Sequence, residues 1–110
     1  MAVTRKNGTS TRAGLDLLQT NIEEAAALLH AIGNPNRLRV LCQLLMQGEM
    51  SVGEMNEVVG ISASALSQHL ARMREEGLVA YRREAQTLYY RINNPAVERV
   101  IAALKDIYCP

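Results

Sequence analysis

Between Ser62 and Glu76 the sequence gathers Ser62, Ser64, Ser67, Gln68, His69 and Arg72. These types suit a nucleic-acid groove: Ser donates or accepts, Gln can pair with adenine, and Arg can grip phosphate or guanine. A helix opening at Ser62 would also turn free N–H groups toward phosphate oxygens. A second cluster, Arg82, Arg83, Gln86 and Thr87, offers charge and hydrogen bonds to a backbone or minor groove. The remaining reactive groups are two thiols, Cys42 and Cys109. Free cysteine is often a small buried hydrophobe. Cys42 beside Leu41 fits that role, whereas Cys109, next to the C-terminus, fits it less well. Catalytic patterns are missing: the sequence has no Cys-x-x-Cys, nucleophile elbow, glycine-rich phosphate loop or paired carboxylates. The chain is read as a binding protein and not as an enzyme.

These residues need elements to hold them. Leu66, Leu70 and Met73 recur at i, i+4 and i+7, predicting a helix that faces them inward and leaves Ser64, Ser67, Gln68 and Arg72 toward solvent. A merely solvated polar face has the same spacing, and His69, beside the row, suits a structural role as well as a contact. Ser51 and Glu54 form a capping-box pattern ahead of Met55, Val58 and Val59, and Gly60 ends that helix. The two helices together read as a helix-turn-helix. Upstream, Asn34-Pro35 predicts a helix start before Leu38, Leu41, Leu44 and Leu45. An earlier helical stripe runs through Leu15, Leu18, Ile22, Ala25, Ala26 and Leu29 and stops near Gly33. Period 2 takes over at Val79 and Tyr81, and again at Leu88, Tyr90 and Ile92, predicting a hairpin with a polar tip at Glu84-Ala85-Gln86. Asn94-Pro95 opens a last helix through Val97, Val100, Ile101, Leu104 and Ile107. The expected order is four helices, a hairpin and a helix (ααααββα). Residues 1–14 are expected to be a flexible basic arm and residues 15–110 one winged helix-turn-helix domain for DNA binding and dimerisation.

Composition agrees with one small globular domain. The 110 residues are 48% hydrophobic with a formal net charge of +1. Charge is uneven along the chain. Arg5, Lys6 and Arg12 meet no acid before Asp16, six acids between Asp16 and Ile61 outnumber Arg37 and Arg39, and Arg outnumbers Glu again from Ser62 to Ile92. Local basic surface matters more to a nucleic acid than the total. No apolar run nears the ~20 residues of a membrane span, and the polar start predicts no secretory signal. Two cysteines are too few for a disulfide-stapled scaffold. The chain is expected in the cytoplasm, away from membranes, and paired with a second copy.

The run Ala65-Leu66-Ser67-Gln68-His69-Leu70, then Arg72 and Arg74, Glu76-Gly77-Leu78-Val79 and Tyr89-Tyr90, closely resembles the ArsR/SmtB family of bacterial winged-helix repressors. Asn34-Pro35 with Arg37-Leu38 is similar to that family's second-helix opening, and the resemblance extends from about Ile22 to Cys109. It implies a mainly α fold with a β-hairpin wing. It also implies a homodimer built on the first and last helices, with both reading helices in successive major grooves of a double-stranded operator. Ser64, Ser67 and Gln68 in the helix, and Arg82, Arg83 and Gln86 in the wing, are the implied contacts. A wing tip without glycine departs from many members.

The resemblance also bears on the signal. Many members bind metals through a Cys-x-Cys pair or through Asp and His in the last helix. Here the matching stretch is Met50-Ser51-Val52-Gly53-Glu54, the last helix lacks histidine, and His30, His69, Cys42 and Cys109 lack zinc-site spacing. No metal is expected. One cysteine in the second helix and one ending the last helix resemble the family's thiol-sensing branch. That implies release from DNA when persulfide sulfur or oxidation joins Cys42 to Cys109. Arg39, three residues before Cys42, and Lys105, four before Cys109, are spaced to favour thiolates, while the helix end opposes an anion at Cys109. No cofactor is needed, although Cys109-Pro110 resembles a haem-responsive Cys-Pro pair. The alternatives are a haem- or peroxide-responsive regulator and a winged-helix dimer that displaces other DNA-binding proteins.

Overall fold

The computed structural model describes residues 8–109. The chain divides at Ala31/Ile32 into two compact units. In the first, α1 (Gly8–Thr20) and α2 (Ile22–Ile32) replace the single helix expected from the apolar stripe. The break is at Asn21. Its backbone N–H is shared between the carbonyls of Leu17 (3.2 Å) and Leu18 (2.9 Å), and its Nδ2 also donates to Leu17 O at 3.0 Å. Thr20 Oγ1 donates to Asp16 O at 3.1 Å. Side chains that claim helix carbonyls in this way tighten and interrupt a turn. Helix α1 starts at Gly8, inside the stretch expected to be an arm. Residues 1–7, with Arg5 and Lys6, lie outside the described residues. The expected stripe is helical, but the chain leaves it uncovered: Leu15, Leu18, Ile22 and Leu29 are 54, 44, 51 and 59% exposed.

The second unit holds α3 (Pro35–Gln47), β1 (Met50–Ser51), α4 (Val52–Val59), α5 (Ala63–Glu75), β2 (Val79–Glu84), β3 (Thr87–Ile92) and α6 (Pro95–Tyr108). Its helix starts follow local chemistry. Asn34 Oδ1 accepts from the N–H groups of Asn36 and Arg37 at 2.9 and 3.1 Å, with Pro35 next to it needing no partner. Asn94 does the same for α6 through Ala96 and Val97. Ser51 and Glu54 complete a reciprocal capping box on α4. Gly60 ends α4 in the left-handed region (φ 80°, ψ 24°), which a side chain resists, and so sets the tight turn into α5.

The sheet order is β1-β3-β2, all antiparallel, with Tyr81 opposite Tyr90 and Arg82 opposite Tyr89. Strand β1 pairs Met50 with Tyr90 and Ser51 with Tyr89. Two residues carry no alternation, so this strand has no signature in the sequence. Val40, Leu41 and Leu44 of α3, Met55 of α4, Leu66, Leu70 and Met73 of α5, and Val97 and Ile101 of α6 are essentially fully buried. One apolar core therefore fixes the orientation of α5 and the root of the hairpin.

Candidate nucleic-acid interface

Helix α5 presents two faces. Leu66, Leu70 and Met73 are at most 2% exposed, while Ser64, Ser67, Gln68 and Arg72 lie in solvent. Ser62 caps the helix: its Oγ accepts from the Ala65 N–H at 3.0 Å, which leaves the hydroxyl proton able to donate outward. His69 is half-buried between the two faces.

The far end of α5 is tied down by cations. Arg74 lies 5.2 Å from the centre of the Tyr81 ring, and Tyr81 in turn packs at 5.4 Å against Tyr90. Burial pushes the Tyr90 phenol up, and Arg74 partly offsets it. Arg37 of α3 reaches Glu76, the cap of α5, at 3.3 Å. The sequence alone marks no positioning role for Arg74, Arg37 or Glu76. Their partners are 7 to 39 residues away along the chain, beyond any helical or strand period.

At the wing the expected cluster divides. Arg83, Gln86 and Thr87 are exposed at the hairpin tip, and the Arg83 guanidinium has no hydrogen-bond or ion-pair partner among the described residues. Arg82 is fully engaged. Its Nε and Nη2 donate to the two carboxylate oxygens of Glu49 at 2.9 Å each, and Nη1 donates to Glu84 Oε1 at 2.9 Å. Its guanidinium also lies 4.6 Å from the centre of the Tyr89 ring. The Arg82 hydrogen bonds, with help from the charge of Arg91, hold the Glu49 carboxyl below its ordinary range. No local pattern in the sequence marks Glu49, whose partner Arg82 is 33 residues away. The tip itself is a two-residue turn, Ala85-Gln86, with Ala85 at φ 57°, a conformation that favours glycine.

Both thiols are exposed. Cys42 lies on the side of α3 away from buried Val40, Leu41 and Leu44, so it is not core filling. Partial burial pushes its thiol above the ordinary value, and the charge of nearby Cys109 pushes it further. This corrects the expectation that Arg39 favours the Cys42 thiolate: Arg39 Nη1 instead donates to Asn36 Oδ1 at 2.6 Å. Cys109 caps α6, its N–H donating to Lys105 O at 2.7 Å. Among the described residues, no three His, Cys, Asp or Glu side chains cluster as metal ligands. Nor is any helix among them long and apolar enough to cross a membrane.

Residues 34–81 match the family described as "Bacterial regulatory protein, arsR family". The chain is 53% identical over 93 residues to the HTH-type transcriptional regulator YgaV of Escherichia coli, covering 84% of this chain and 94% of that protein. It is 44% identical over 95 residues to the transcriptional activator HlyU of Vibrio cholerae, covering 86% and 87%. The crystal structure of the transcriptional repressor BigR from Xylella fastidiosa superposes with a TM-score of 0.80 at 35% identity, over 86% of this chain and 96% of that one.

Proposed function

This chain belongs to the arsR family of bacterial regulatory proteins, and from that premise we propose that it is a homodimeric operator-binding repressor released when Cys42 becomes joined to Cys109. Family membership makes it a helix-turn-helix transcriptional regulator. Of its relatives, the Xylella protein is named a repressor and the Vibrio protein an activator; repression is the reading taken here. The observation that carries the DNA-binding half is the split of α5, in which Ser64, Ser67, Gln68 and Arg72 face solvent directly behind a row that is at most 2% exposed. A rigidly backed helix with that polar row suits direct readout in a major groove. Arg83, Gln86 and Thr87 would then hold the adjoining backbone from the wing.

A second copy supplies what one chain lacks. Leu15, Leu18, Ile22 and Leu29 toward the N-terminus, and Ile107 and Tyr108 toward the C-terminus, are 44 to 78% exposed. Covering these helical faces would offset the cost of association, and two reading heads suit half-sites one helical turn (~34 Å) apart.

The exposure of both thiols supports the switch, and Cys109 lies near enough to Cys42 for its charge to push that thiol up. The chemistry closes without an external acceptor when the signal is a persulfide. One thiolate takes the outer sulfur of RSSH and releases RSH. The second thiolate then attacks the inner sulfur of the Cys–SSH so formed, closing a disulfide and expelling sulfide. Transfer of a further sulfur before closure gives a trisulfide. With a peroxide, two electrons and two protons leave the thiols and the peroxide becomes water or an alcohol. Measuring operator affinity after persulfide treatment tests this: wild type should lose binding and Cys42→Ser should keep it. Equal loss in both removes Cys42 from the mechanism. Intact mass then separates a disulfide from a trisulfide by one sulfur atom.

A further inference from the structure

We propose that Arg82 is a positioning residue that sets the wing against the helix-turn-helix, and that the wing's phosphate contact belongs to its neighbour Arg83. The inference rests on the DNA-binding reading above.

Two adjacent arginines on β2 meet opposite fates. Side chains alternate faces along a strand, so the row Arg82–Tyr89–Ser51 lies on the face opposite Tyr81–Tyr90–Met50. Across its row, Arg82 reaches from β2 over β3 to the residue that precedes β1. It covers the Tyr89 ring and grips the Glu49 carboxylate with two parallel bonds. A bidentate pair of this kind restrains orientation as well as distance. Glu49 stands between Gly48, which ends α3, and Met50, which opens β1. Two residues later Ser51 caps α4. The grip therefore runs from the wing to the junction that launches the first helix of the helix-turn-helix. On the other face, Arg74 of α5 holds Tyr81. The wing is thus pinned from both sides, once to the segment that leads into α4 and once to α5.

Charge argues the same way. Arg82 shares its single positive charge between Glu49 and Glu84, and Arg91, near Glu49, brings the group only to neutrality. A phosphate approaching Arg82 would meet two carboxylates already holding it. Arg83 presents an unshared cation at the same level of the hairpin.

The two roles predict opposite signs for one substitution. Duplex affinity is measured against salt for wild type, Glu49→Gln, Arg82→Ala, Arg82→Lys and Arg83→Ala, with thermal unfolding of each. As a positioning residue, Arg82→Ala weakens binding on the order of tenfold, equivalent to one lost charged hydrogen bond. Glu49→Gln weakens it comparably, the double variant is no worse than either single one, and the log–log salt slope keeps its wild-type value. Arg82→Lys fails to rescue, since an ammonium cannot reproduce the bidentate grip, and midpoints of unfolding stay close to wild type. If Arg82 instead touches phosphate, Arg82→Ala flattens the slope, Lys rescues, and Glu49→Gln tightens binding by freeing the cation. Any of those three results overturns the inference while leaving the DNA-binding reading intact. A wild-type protein whose duplex binding ignores salt removes both.

Discussion

Removing the Arg83 guanidinium should change how operator binding responds to salt while leaving the fold alone. The side chain is exposed and has no partner among the described residues, so Arg83→Ala should alter unfolding free energy by no more than about 0.5 kcal/mol. On DNA the change is larger. Each phosphate contact releases counterions and contributes about 0.9 to the slope of log affinity against log salt, and the proposed dimer would present Arg83 twice, so the slope should flatten by about 1.8. Between about 50 and 200 mM salt, the wild-type advantage over the variant should then shrink roughly twelvefold. Fluorescence anisotropy of a labelled operator across that range, together with a scrambled duplex, reads the effect directly. Both duplexes should lose affinity alike, because a phosphate contact carries no sequence information. An unchanged slope, or a loss confined to the operator, would refute the assignment. A lowered unfolding midpoint would show that Arg83 has a structural partner.

Other predictions follow from the same geometry. Ala85→Gly should stabilise the chain: relief of a left-handed alanine is worth ~1–2 kcal/mol and the added freedom of the unfolded chain costs ~0.4–1 kcal/mol. The melting midpoint should therefore rise by a few degrees, and a fall would mean that the tip conformation at φ 57° is not strained. Alkylation of Cys42 should follow pH with a midpoint above the ordinary thiol value, and the midpoint should move down in Cys109→Ser without reaching that value, because burial is the larger cause. Linkage has a definite sign here. The stability gained from a neutral Cys42 is complete below the ordinary thiol pKa and drains away as pH climbs through the raised one; a midpoint below the ordinary value would contradict both. Ile107→Glu alters a residue that is 64% exposed in one chain. It should leave helicity unchanged yet convert a dimer to a monomer in sedimentation, and a variant that stays dimeric would place the interface elsewhere.

Features of the fold that announce themselves locally were legible in the sequence. Asn34-Pro35 and Asn94-Pro95 cap the helices they were expected to cap, and Leu66, Leu70 and Met73 face the core because a 3.6-residue period leaves them no other direction. The two-residue β1 was hidden, since it exists only through its pairing with Tyr89 and Tyr90. Asn21 was hidden for a different reason: the apolar stripe continues straight through it, and only a side chain turning back on its own helix reveals the break. On α5, the exposure of Ser64, Ser67, Gln68 and Arg72 was legible because it follows from helix phase. Arg82 was not, because its state depends on Glu49, 33 residues away. Composition places both arginines in one basic cluster, and tertiary contacts separate them.

The short β1 and the charged β2 together also govern what the sheet does in a crowded solution. Both are outermost strands, and an outermost strand offers unpaired backbone groups to any passing chain. Strand β1 is two residues long, too brief to seed an intermolecular ladder. Strand β2 is longer, but Arg82, Arg83 and Glu84 occupy half of it. Pairing a second strand alongside would strip these charged side chains of hydration. The ionic groups of the wing thereby act as gatekeepers against fibrous aggregation, and exchanging them for β-branched apolar residues would remove that protection.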